Sequence, residues 1–127
     1  MSPRELRAEA GSSTVLAVGL IAVLLTITLA ALAVLSAVRA AHVARSAADL
    51  SALAGAVEYQ QSADAGGACA EARRVAAHHD VAVIGCDVGG GGEVTVTVSA
   101  RIPLRLGGVG PDHAEGRARA GPSPEDG

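Results

Sequence analysis

From residue 10 to residue 38 the chain carries no charged side chain. The centre of that run, residues 15–38, reads VLAVGLIAVLLTITLAALAVLSAV, 24 residues in which only Thr26, Thr28 and Ser36 are polar. As an α-helix it is about 36 Å long, and a bilayer hydrocarbon core is about 30 Å thick. No other feature limits the fold so strongly, because a lone segment in lipid satisfies its own backbone only as a helix. The three hydroxyls are expected to bond back to carbonyls of that helix. A transmembrane helix over residues 12–38 follows, preceded by a short leader or cytoplasmic segment over residues 1–11. The competing reading is a cleaved secretory signal, with its apolar region over residues 15–29 and a small-residue site at Ala31-Leu32-Ala33. Against cleavage, both the apolar run and helix-forming sequence continue past that site.

The remaining residues lack the bulk for a large core. Half of the 127 residues are apolar, yet Tyr59 is the one aromatic, Phe, Trp and Lys are absent, and 28 residues are alanine. Ten Arg against 13 acids give a formal net charge of −3. A nucleic-acid binder would show a basic face, so that class is set aside. A stand-alone soluble enzyme is set aside for want of core-forming side chains.

Residues 39–60 prolong the helix. Val43, Ala47, Leu50, Leu53, Ala54 and Val57 recur at helical spacing and form one apolar stripe with many small residues. Such a stripe either admits a second helix at close range or folds back on the chain's own domain. Arg45 and Asp49 are four apart and placed to pair on the outer face.

Residues 61–106 read as a small α+β domain. SADAGG at 62–67 interrupts the helical pattern. A second helix is expected over 68–79, with Cys69, Ala72, Val75, Ala76 and His79 on one face and Asp80 at its end. Residues 81–86 have the length of a strand, and the four glycines at 89–92 make a turn. Alternation of apolar and polar residues from Val94 to Leu106 predicts a strand with one buried face, and Pro103 an edge or a bend in it. Nine of the 21 residues in 107–127 are Gly or Pro, so that segment reads as loop and tail, disordered over 121–127, with a weak strand possible at 114–120. The fold class is thus α+β: a long N-terminal transmembrane helix, then one helix and a two- or three-stranded antiparallel sheet.

Two cysteines, Cys69 and Cys86, follow the apolar run. Only eleven Val, Ile or Leu occupy residues 61–106, so a domain there needs a staple. A disulfide between these cysteines closes a loop worth about 3 kcal/mol in the chain-entropy account; two unpaired buried thiols are the alternative. Flanking charges do not orient the span, since Arg4 and Arg7 on one side balance Arg39 and Arg45 on the other. A disulfide would place the C-terminal domain outside the cytoplasm.

Catalytic, cofactor-binding and metal residues are not indicated. Cys69, His78, His79 and Cys86 follow no standard zinc spacing. The glycine run lacks the Lys-Ser/Thr of a phosphate loop and precedes a strand. Asp49 lies near Ser46 and Ser51 without the surroundings of a nucleophile elbow.

One stretch goes beyond composition. Residues 45–56, RSAADLSALAGA, lie just beyond the apolar helix and resemble the Q-x-A-A-D-x-A-A-L-A-x-A signature of TadE/TadG-like proteins of the tight-adherence (Flp pilus) apparatus. GSSTVLAVGLIAVLL near the N-terminus, the cysteine pair and RARAGP near the C-terminus resemble short members of that group. The resemblance implies a pilin-like fold and a non-enzymatic, membrane-anchored minor-pilin-like or accessory component of a Tad pilus assembly or related secretion system. It implies the lipid bilayer and other Tad-type pilin-like or secretion-apparatus membrane proteins as partners, with no nucleic acid, small-molecule substrate or cofactor. The signature residues Ala47, Ala48, Asp49, Leu50, Leu53 and Ala54 are then expected at a helix-packing contact, the stripe supplying close approach and Asp49 orientation. One departure is Leu16. A leader ending at Gly11 would put it at the fifth mature position, where Tad-type pilins carry Glu. The alternative function is a secreted, disulfide-stapled binding module released by signal peptidase.

Overall fold

The computed structural model describes residues 3–123, with side chains from residue 11 onward. Residues 1 and 2 of the expected leader and residues 124–127 of the expected tail lie outside the described residues. Helix α1 runs Pro3–Ser62 without a break, 60 residues and about 90 Å. Proline suits its first position because the missing N–H has no intrahelical partner there. Along the apolar run the large side chains are uncovered, from 74 % exposure at Val15 to 46 % at Leu32, and only Ala33, Ser36 and Ala37 near its end are half-buried. Thr26 and Thr28 donate to the carbonyls of Ala22 and Leu24 at 2.8 and 2.9 Å, as hydroxyls in an apolar helix should. Ser36 has a different role, since its Oγ accepts the Leu104 N–H at 3.2 Å.

The chain reverses at Ala63, which takes a left-handed φ of 53°. Helix α2, Ala65–His78, begins three residues earlier than its periodicity predicts, because the Asp64 carboxylate accepts from the N–H groups of Gly66 and Gly67 and caps it. Ala68, Ala72 and Ala76 form its buried face; Cys69 and Val75 are half-buried, and His79 is exposed rather than part of that face. At the other end Asp80 (φ 56°) turns the chain, with Asp80 N–H on Ala77 O and Val81 N–H on Ala76 O. That is a Schellman closure with Asp in the left-handed position usually given to Gly.

Three strands follow, β1 (Ala82–Val88), β2 (Val94–Arg101) and β3 (His113–Ala120), in an antiparallel meander ordered β1-β2-β3. Val94, Val96, Val98 and Ala100 are buried against the helices, and Thr95, Thr97 and Ser99 alternate on the other face. In β1 the register slips between Val83 and Gly85, leaving Ile84 as a bulge that is 56 % exposed. The extra residue shifts the phase of the strand, so Val83 before it and Cys86 and Val88 after it all pair with inward residues of β2. β3, only a weak signal in the sequence, pairs with β2 along its whole length, Val94 opposite Ala120 and Arg101 opposite His113. Within the glycine turn only Gly92 has a positive φ, 84°, and it lies against the Tyr59 ring.

The long strand expected up to Leu106 is corrected. β2 ends at Arg101, Ile102 is buried, and Leu104 and Leu106 are each 44 % exposed. Pro103 lacks the N–H that would continue the ladder, and the chain leaves the sheet there.

The core consists of alanines from α1 and α2 against valines from the sheet. Ion pairs are confined to the surface. Glu71 pairs with Arg74 one turn away, and Glu93 on β2's approach pairs with Arg119 at 2.9 Å. His113 Nδ1 lies 2.9 Å from Asp112 Oδ1, and that hydrogen bond holds the Asp112 carboxyl below its ordinary pKa.

Candidate helix-packing interface

Beyond the apolar run, α1 has two unlike faces. Toward the domain it presents Ala40, Ala44, Ala47, Ala48, Ala52 and Ala56, all buried, with Ser51 and Gly55 among them. Close approach explains the small residues. A Cβ built on Gly116 of β3 would fall 2.4 Å from the carbonyl carbon and oxygen of Ala44. One built on Gly55 would fall 3.0 Å from the Ala68 carbonyl oxygen and 3.1 Å from a Val94 methyl. Helix backbone and strand backbone touch at the first place, and α1 meets α2 at the second.

The expected apolar stripe is therefore divided. Ala47 is fully buried in the chain's own core and Ala54 is partly buried. Val43, Leu50, Leu53 and Val57 remain 38, 43, 56 and 47 % exposed. Their mean direction lies roughly 150° round the helix from the buried face at 100° per residue. The fold-back reading thus holds for Ala47 and in part for Ala54, and not for the larger residues of the stripe. Small residues fold onto the domain because the sheet brings the bulk, and the larger aliphatic residues are left outside. Of the other signature residues, Ala48 is buried and Asp49 is exposed. Arg45 and Asp49 form no ion pair, which corrects that expectation; both extend from the exposed surface of the helix. A hydrated pair of this kind gains at most about 1 kcal/mol, too little to hold two long side chains together by itself.

Cys69 on α2 and Cys86 on β1 are joined, their Cα atoms 5.9 Å apart and the residues 17 apart in sequence. The Ile84 bulge turns Cys86 toward the helix.

Two features escaped the sequence reading. Gly116 interrupts an otherwise regular strand, and an isolated glycine there is a sign of close backbone approach. Ser51 is fully buried, and its Oγ has no hydrogen-bond partner among the described residues. It occupies a position that the signature fills with alanine. Ser51→Ala should therefore keep the fold and raise its stability by about 1 kcal/mol, since a buried hydroxyl without a partner keeps its desolvation cost. Denaturant unfolding of the two proteins in the same detergent checks this, and a loss of stability would show that the hydroxyl has a partner.

Comparison with known families finds a match to the family described as "Tad: Putative Flp pilus-assembly TadE/G-like" over residues 11–58. Neither the curated proteins nor the solved structures give a significant match. The matched segment begins with the apolar run and ends on the part of α1 that carries both the alanine face and the exposed aliphatic stripe. Over that segment the chain is similar to the TadE/G-like proteins of Flp pilus assembly, the family that its RSAADLSALAGA stretch resembles.

Proposed function

We propose that this protein is a non-enzymatic, membrane-anchored, minor-pilin-like or accessory component of a Tad (Flp) pilus assembly or related secretion system, with its disulfide-bonded domain outside the cytoplasm. The observation that carries the reading is the continuity of α1. An uncovered, uncharged apolar run passes without a break into a helix whose outer face keeps Val43, Leu50, Leu53 and Val57 exposed. The first part suits lipid and the second suits a neighbouring helix of the same apparatus. The family match over residues 11–58 supports this assignment of both parts.

The anchor is tested by extraction. The protein should stay in the membrane fraction through carbonate and high-salt washing, and its mature N-terminus should precede residue 15. Release into the soluble fraction with a mature N-terminus near Val34 would favour the secreted-module alternative.

Substitutions test the partner surface. Leu50→Glu and Leu53→Glu place charge on the exposed stripe without entering the core. They should reduce co-purification with neighbouring pilin-like proteins at least tenfold, equivalent to about 1.4 kcal/mol, while membrane insertion and the disulfide persist. Asp49→Ala should have a smaller effect. If the Glu variants assemble normally and Asp49→Ala abolishes the complex, a charge contact holds the partner and the stripe does not. Ala47→Leu is unsuitable as a probe of the partner, because Ala47 is fully buried in the core and the larger side chain would disrupt the domain itself.

A further inference from the structure

The segment between β2 and β3 puts apolar side chains beside the membrane-length part of α1, where nothing else in the described chain covers them. Ile102 N–H donates to Asp112 O at 2.8 Å and closes the base of a loop over residues 103–111. Within it Leu104 and Leu106 are 44 % exposed and Val109 is 79 % exposed. Leu104 N–H reaches Ser36 Oγ, and Leu106, Val109 and Pro111 share one apolar groove with Ala33 and Ala37.

Helix geometry supplies a depth scale. Arg39 is the first charge after the apolar run, which places it at headgroup level once that run spans a bilayer. At 1.5 Å per residue, Ser36 is about 4–5 Å and Ala33 about 9 Å on the lipid side of it. Interfacial segments enter the headgroup and acyl boundary to about 5–10 Å, the range that the loop occupies. Arg101 lines the same groove as Arg39 and so lies near the same level, at the base of the loop. The loop also answers much of its own polar demand. Arg105 donates to the carbonyl oxygens of Gly108 and Gly110, and Val109 N–H donates to Leu106 O at 3.0 Å. Left-handed φ values at Gly107, Gly108 and Gly110 make this tight fold accessible.

We propose that the loop over residues 103–111 is a second membrane contact, inserting Leu104, Leu106 and Val109 into the interfacial layer of the bilayer leaflet nearest the domain, beside α1. This rests on the membrane-anchor reading of α1. The loop then holds the domain close to the lipid surface and limits its rotation about the long helix.

The test uses the absence of tryptophan from the chain. Single-Trp variants of the full protein, Val109→Trp, Leu106→Trp, Ile21→Trp and Gln60→Trp, are reconstituted into phosphatidylcholine–phosphatidylglycerol vesicles with and without brominated acyl chains. Val109 is largely exposed, so its substitution does not touch the core, and Leu106→Trp is an independent probe of the same loop. The expected result is blue-shifted emission from Val109→Trp and Leu106→Trp, with most of it lost to lipids brominated near the headgroup. Ile21→Trp should be quenched best by deeply placed bromine, and Gln60→Trp, far along α1, not at all. If Ile21→Trp is quenched and neither loop variant is, the loop proposal is overturned and the anchor stands. If none is quenched, the anchor reading itself fails. Blue-shifted loop emission that bromine leaves untouched means that a protein surface covers the loop, which also overturns the proposal.

Discussion

Gly116→Ala is expected to destabilise the domain by about 3 kcal/mol, the upper part of the usual overpacking range. The added methyl would sit 2.4 Å from the Ala44 carbonyl and 2.6 Å from the Arg45 nitrogen. Those atoms belong to helix backbone already bonded within α1, so no side-chain rotation relieves the contact. Strand and helix must separate, and the Ala-on-Val core opens with them. For a domain of this size the change corresponds to a fall in Tm on the order of 10–20 °C. Gly85→Ala is the control in the same sheet. Its new methyl would meet Thr97 Cβ at 3.6 Å, an ordinary contact, so the variant should be neutral or more stable by up to about 1 kcal/mol. Thermal unfolding of both variants in one detergent makes the comparison. Equal melting of Gly116→Ala and the unsubstituted protein would mean that α1 does not approach β3 this closely.

The second large effect concerns the disulfide. Replacing both cysteines, Cys69→Ala with Cys86→Ala, should cost about 3 kcal/mol, the loop-closure value for a bridge of this span. Little else of any size holds α2 to the sheet. Its buried face is Ala68, Ala72 and Ala76, and each methyl buries little area. Reductant should destabilise the unsubstituted protein by a similar amount and leave the double variant unchanged. Indifference of the unsubstituted protein to reductant would remove the staple. The same measurement bears on orientation, since a bridge of this kind persists only where thiols are oxidised. Finding both thiols free in protein isolated without reductant would argue for a cytoplasmic domain.

The exposed stripe lies on α1 and the loop packs beside an earlier stretch of that helix, and both leave aliphatic side chains exposed among the described residues. A soluble protein would be prone to aggregate through such surfaces. Under the proposals made above, they serve as separate contacts, one for a neighbouring helix and one for the bilayer.

Much of this architecture was legible in the amino-acid order because it rests on local periodicity. An apolar run of 24 residues specifies a membrane-length helix. Strict alternation from Val94 onward specifies a strand with one buried face, and the observed β2 buries that face. The scarcity of large aliphatics after residue 60 signals the need for a covalent staple, and the two cysteines lie at bonding distance. Tertiary structure decided which side of α1 is covered. By sequence the stripe from Val43 to Val57 either meets another helix or folds back on the domain, and burial depends on how near the opposing surface comes. Gly116 and Gly55 bring backbone so close that only Ala, Ser and Gly fit between, so the small-residue face wins and the larger residues stay outside. The end of β2 was likewise decided non-locally. The alternation runs on past Arg101, but Pro103 cannot extend the ladder and Ser36 of the distant helix takes the Leu104 N–H, so the last apolar residues of the pattern leave the sheet and settle beside α1.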